Sequence, residues 1–218
     1  MALTLINAGP SPFGRKVAVA LIEKGLAFDV QVDMPWSDAT CTPQHNPLEQ
    51  LPILLAGSET LFDSSYILEW IEVKHPTPPL LPVDVDERLE ARKRQMLGER
   101  LMEIAQSLIL EMHRPQPGAD WVDRQTRKIA GGLAALDQLY AGRHAQAEAI
   151  DLGDIAVATT LLLFEHAVVA GYSPDIDVLR WRGRYPALTA FVESIEDRPS
   201  FRDTRPREMA LDLAATVN

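Results

Sequence analysis

Ser11, placed before Pro12 in the run Gly9-Pro10-Ser11-Pro12-Phe13-Gly14-Arg15-Lys16-Val17, is the residue in this chain best placed to do chemistry. An apolar run, Leu3 to Ile6, precedes it and reads as a strand. An amphipathic run, Pro12 to Lys24, follows it and reads as a helix. Serine is a favoured helix N-cap and proline a favoured first helical residue. The Ser11 hydroxyl therefore belongs at the positive end of a helix dipole, which stabilises an anion such as a thiolate. Taken alone, a Ser-Pro pair is more often just a cap.

Asp63-Ser64 repeats the theme, because both are capping residues ahead of an apolar-periodic segment and a helix N-terminus can hold a carboxylate. Leu51-Pro52 stands just before a strand, where proline is tolerated. Asp151-Leu152-Gly153-Asp154 reads as a capping-box variant ahead of the most apolar helix, with a folding role worth about 1 kcal/mol or somewhat more. His45, His75, His113, His144 and His166 are scattered without metal-ligand spacing, and His166 reads as a core residue. Cys41 is the single cysteine, so an internal disulfide is impossible and a thiolate metal site is not expected. The phosphate-binding glycine loops and the Gly-x-Ser-x-Gly elbow are absent.

With 218 residues and a net charge of -10, the chain is long enough for one large or two small domains and too acidic to favour nucleic acid or an anionic membrane surface. No apolar run reaches a membrane span, and no secretory signal is visible. A cytoplasmic protein is expected.

These residues need a scaffold. Phe28 to Asp33 alternates as a half-buried strand does, so the chain opens β-α-β. Met34 to Asn46 reads as irregular. Ile53 to Leu55 and Thr60 to Phe62 form a hairpin around Gly57-Ser58, and a helix follows to Lys74. Pro76, Pro78, Pro79 and Pro82 mark a stiff linker. Helices are then expected over 84–113, with a core stripe of Leu89, Met96, Leu97, Leu101, Ile104 and Leu108. Further helices are expected over 120–140, with Gly131-Gly132 as a weak point, over 151–170 and over 187–198, and a loose tail begins at Arg205. The expected class is α+β: a thioredoxin-like domain over 1–75, a linker over 76–83 and an all-helical domain over 84–218.

This order of motifs resembles the glutathione S-transferase family. The likeness rests on Ser11 to Val17, Asn46 to Leu54, Phe62 to Ile67, Asp151 to Ala156 and Tyr185 to Leu188. It looks most like bacterial members carrying S-P-F/Y-x-R-K-V. The resemblance implies that Ser11 donates to the glutathione sulfur and favours its thiolate. It implies that Leu51, held by a cis Pro52, pairs its backbone with the cysteinyl unit. Asp63 and Ser64 would hold the γ-glutamyl group, Gln50 would face the glycine carboxylate, and Phe13 would complete the binding set. It further implies glutathione as co-substrate without a metal, a hydrophobic electrophile or a peroxide as second substrate, and a homodimer. The electrophile would lie near Gly9-Pro10, Phe13, Met102, Gln106 and His113. Glu49-Gln50 stands where the family usually has Gly-Lys, which replaces a cation by a neutral amide and adds an acid. That departure supports the rival reading, a non-catalytic binding or regulatory protein on the same fold.

Overall fold

The computed structural model describes residues 2–34, 36–141, 143, 149–173, 175–206 and 213. The expected loose tail and His144 fall largely or wholly outside them. The described residues divide into two units. One gathers residues up to Arg88 with 198–206, and the other spans Leu89–Asp197.

The first unit is a four-stranded sheet with helices packed on it. β1 (Leu3–Asn7) leads into α1 (Pro12–Glu23) and then β2 (Asp29–Val32), which lies parallel to β1. β3 (Ile53–Ala56) and β4 (Glu59–Phe62) follow as an antiparallel hairpin, giving the order β2-β1-β3-β4. α3 (Ser64–Lys74) follows, and the unit's continuous part runs on to Arg88. Leu3, Leu5, Val17, Leu54, Ile67 and Ile71 are among the residues of the core. α1 ends as its sequence demands, with Gly25 at φ 65°, a left-handed conformation that glycine adopts without penalty.

β2 departs from expectation. It is an edge strand with all four residues exposed, Val30 at 59% and Val32 at 60%. Alternation shows which side chains share a face, but not whether anything covers it. The following connector is also less irregular than its composition implies, because it contains a one-turn helix, α2 (Thr42–His45). Asp33 organises this connector, accepting from the Thr40 and Thr42 hydroxyls at 2.8 and 2.7 Å and from the Met34 and Cys41 N–H groups.

The proline-rich segment is docked rather than free. The Lys24 ammonium is fully buried, pairs with Glu72 at 2.5 Å and donates to the His75 and Pro78 carbonyls at 2.7 Å. The segment 198–206 also returns to α1. Its short helix α8 (Pro199–Arg202) starts at a proline, which suits a first helical position, and Arg198 pairs with Glu23 at 2.8 Å.

The second unit is helical, built from α4 (Val85–Met112, entering from the first unit), α5 (Ala119–Ala141), α6 (Leu152–Val169) and α7 (Pro186–Ile195), with a 3-10 turn at Asp177–Leu179. α6 is long and apolar enough, by length and composition, to cross a membrane, contrary to expectation. It is 72% buried inside the protein, and Trp181 donates to its Leu161 carbonyl. The capping box is present in full, and it is joined by a buried cluster. Arg94 meets Asp151 at 2.5 Å, Arg143 meets Asp154 at 2.6 Å, and the Tyr140 hydroxyl donates to Asp154.

This cluster corrects the expected stripe on α4. Leu89 is 61% and Met96 48% exposed, while Arg94 and Gln95 are buried. Hydropathy alone assigns arginine to water, but here two aspartates neutralise it. α5 runs unbroken through Gly131-Gly132, since a Cβ at Gly132 would lie 2.6 Å from the Leu101 side chain. His166 is half-buried against Tyr172, ring centroids 5.7 Å apart, and not in the core.

Candidate active site

Strand register brings the chemical residues of the first unit together. Ile6 of β1 pairs with Ile53 of β3, and Ile53 pairs with Phe62 of β4. The turn into α1, the segment before β3 and the turn into α3 therefore leave the same end of the sheet.

Ser11 is the N-cap of α1, half-buried, with φ -66° and ψ 119°. Its oxygen accepts from the Gly14 N–H at 3.4 Å, a long bond. The hydroxyl proton is thus available to an acceptor outside the helix, beside the unpaired N–H groups of its first turn. Pro12 occupies the first helical position and Phe13 is half-buried.

Leu51-Pro52 is cis. Leu51 is half-buried, and among the described residues no turn or loop hydrogen bond takes its N–H or C=O. Those groups are available for pairing with an extended peptide. Asn46, a residue to which sequence reasoning gave no role, holds this segment. It is 2% exposed, its amide donates to the Gln50 carbonyl at 2.8 Å, and its oxygen accepts from Leu48 N–H at 2.9 Å. Gln50 and Glu49 are exposed, and Glu49 sits at φ 53°.

Asp63 is a second non-glycine residue at positive φ, 64°. Such a conformation costs of order 1–3 kcal/mol and persists only where surrounding structure holds it. Here Asp63 caps α3, one carboxylate oxygen accepting from Ser65 and Tyr66 N–H at 2.9 and 3.0 Å. Ser64, 5% exposed, is the first residue of that helix. The capping role is thus real for Asp63, and its second oxygen is not engaged in the cap.

Arg15 and Lys16, quoted only as part of a motif, are both buried. Arg15 donates to the Phe201 carbonyl at 3.1 Å, and burial together with the Arg205 charge lowers its pKa to about 10. Lys16 donates to the Ser65 hydroxyl at 3.3 Å, joining α1 to the first turn of α3. Both act through the scaffold. An Arg-Lys pair inside an apolar helical stripe was the available signal, since such residues are buried only when partnered. Burial, with the Asp33 carboxylate next, raises the Cys41 thiol, which keeps it a poor nucleophile. Of the expected electrophile contacts, Met102 is fully buried and cannot line an open site. Gln106 is exposed, and His113 Nδ1 lies 2.8 Å from the Ile109 carbonyl.

A cap hydroxyl, a cis-proline segment with open backbone groups and a second helix start thus lie at one end of the sheet, where backbone donors and helix N-termini suit an anion. Comparison with known proteins decides the family. A model of the glutathione S-transferase N-terminal domain matches residues 10–74, and a model of the C-terminal domain matches 119–194. An uncharacterized GST-like protein of Escherichia coli, YibF, is 31% identical over 208 residues, 94% of this chain and 98% of its own. The chain belongs to the glutathione S-transferase family. A solved glutathione S-transferase from Methylobacterium radiotolerans, in complex with glutathione sulfonate, is similar at 40% identity and TM-score 0.84, covering 97% of this chain and 98% of that one. Another from Methylobacillus flagellatus, with glutathione bound, is 28% identical with TM-score 0.83, covering 94% and 100%. The α+β architecture, a thioredoxin-like unit followed by helices, is that of the glutathione S-transferase fold.

Proposed function

We propose that this protein activates the thiol of glutathione at Ser11 and transfers the thiolate to a hydrophobic electrophile, or uses it to reduce a peroxide. The observation that carries this reading is the meeting of Ser11, cis Leu51-Pro52 and Asp63-Ser64 at one end of the sheet. The relatives from Methylobacterium and Methylobacillus, with glutathione sulfonate and glutathione respectively, support it.

Each residue then has a defined task. A free thiol with pKa near 8.5 is mostly protonated at neutral pH. Ser11 donates its proton to the sulfur while the α1 N-terminus favours negative charge. A tenfold gain in the thiolate-to-thiol ratio needs only about 1.4 kcal/mol. Leu51 pairs with the cysteinyl backbone. Ser64 and the α3 N-terminus take the γ-glutamyl carboxylate, and the free oxygen of Asp63 takes its ammonium. Phe13 packs against the bound tripeptide, and Gln50 reaches the glycine carboxylate. In conjugation the thiolate forms a bond to the electrophilic carbon as the leaving group departs with its electron pair. No metal is needed for that step.

The protein works in the cytoplasm as a homodimer. Tyr66 and Val73 on α3 of the first unit are exposed apolar side chains suited to self-association, and Leu89 and Met96 on α4 of the second unit are likewise exposed.

The rival reading, a binding or regulatory protein without turnover, is favoured by Glu49-Gln50, both exposed in place of the usual Gly-Lys. Turnover of glutathione with a chlorodinitrobenzene and with an organic hydroperoxide separates the two. Activity lowered about ten- to a hundredfold by Ser11→Ala supports the transferase. Glutathione binding with neither activity supports the rival.

A further inference from the structure

The helical unit carries a cleft of about 420 Å³, open to solvent on one side, to which no residue of the glutathione site contributes. One stripe of α5 forms a wall: Val122, Thr126 and Ala130, at successive helical turns and all half-buried. Met112 at the end of α4 and Ile176 beside the 3-10 turn add apolar surface. Asp175, Asp177, Arg184 and Tyr185 converge on the same space. Apolar walls with a few placed polar groups, in a volume within roughly 300–1,000 Å³, are the usual form of a small-molecule site.

The charges select the ligand. Arg184 is already engaged, since its two terminal nitrogens donate to the two Asp177 carboxylate oxygens, both at 2.8 Å, and one also donates to the Asp177 carbonyl at 3.2 Å. An incoming anion would have to displace that bidentate pair. Asp175 is exposed and, among the described residues, makes no hydrogen bond or ion pair. The lining residues therefore sum to one negative charge, with Arg180 acting on Asp177 from outside the lining. Tyr185, whose hydroxyl is 3.5 Å from the Ala130 carbonyl, adds an aromatic ring, a further attraction for a cation.

We infer that this cleft binds an amphiphilic organic cation, with an apolar body of ring-system size along the α5 stripe and an ammonium group paired to Asp175. The site is separate from Ser11, so it stands or falls independently of glutathione chemistry.

Three probes sharing one ring system test it on the full chain by calorimetric titration: naphthylmethylammonium, naphthylmethanol and naphthoate. The ammonium is expected to bind about fivefold more tightly than the alcohol, the scale of a partly exposed charge pair, and naphthoate most weakly. Asp175→Asn, a surface change, should erase the advantage of the cation and leave the alcohol unchanged. Thr126→Trp should fill the cleft and abolish all three; if that variant fails to fold, the Asp175→Asn comparison decides alone. The inference is overturned by equal or tighter binding of naphthoate, by a cation advantage that survives Asp175→Asn, or by no binding of any probe.

Discussion

The side-chain amide of Asn7 fills the space that a side chain at position 14 would need: an ideal Cβ on Gly14 falls 1.9 Å from Asn7 Oδ1. Asn7 ends β1, and Gly14 is the residue whose N–H meets Ser11. The glycine in Ser-Pro-Phe-Gly is therefore required by close approach. Gly14→Ala should destabilise the protein by about 1–3 kcal/mol, as overpacking does, and the double change with Asn7→Ala should recover much of that loss. Denaturant unfolding of the single and double variants checks this, and a double variant no more stable than Gly14→Ala would contradict it.

Gln50→Lys should tighten glutathione binding by a factor of about two to five, the worth of one exposed charge pair, and raising the salt concentration should shrink the gain. Calorimetric titration measures both. An unchanged dissociation constant removes Gln50 from the site.

Asp151→Ala should cost about 3–5 kcal/mol, more than the ~1 kcal/mol of a cap alone. The reason is that Arg94 is 5% exposed and loses its 2.5 Å partner. Burial, with the Asp151 charge next, raises the pKa of Asp154, and Arg143 and Arg94 oppose that rise. Unfolding of Asp151→Ala beside Asp151→Asn, which keeps an acceptor but not the charge, separates capping from charge pairing. A loss near 1 kcal/mol for both would show that the charges contribute little.

Asp33 gives a pH signature. Its partial burial raises its pKa, but hydrogen bonds from Thr42, Thr40, Cys41 and Met34 outweigh this and bring it to about 2, against 3.8 ordinarily. A carboxyl depressed by folding stabilises the protein above its unfolded pKa, and that contribution is lost as the pH falls through the folded value. The stability gap between wild type and Asp33→Asn should therefore be constant above about pH 5 and shrink toward about pH 2. A gap that grows with acid would contradict the assignment.

Much of this molecule was legible in its sequence because caps, glycines and prolines act locally. Pro12, Gly25, Asp63 and Asp151 mark helix ends through their own backbone and side-chain chemistry, and the structure places each at such an end. What escaped depends on partners distant in sequence. Arg94 is buried because of aspartates 57 or more residues away, and Arg15 because of a carbonyl 186 residues away. β2 looked half-buried because its alternation is intact, yet all four of its residues are exposed. Asn46 was visible as a letter in a motif, but its grip on the Gln50 carbonyl is a property of the folded loop.

Thiolate absorbance of glutathione, followed against pH in the presence of wild type and of Ser11→Ala, reads thiol activation at its source. The bound thiol in wild type should titrate at least about one pH unit below its free value. In Ser11→Ala most of that lowering should be lost and turnover should fall about ten- to a hundredfold, the worth of a hydrogen bond to a charged group. Glutathione bound with its thiol pKa unchanged, or a lowered pKa that survives in Ser11→Ala, would contradict activation at Ser11.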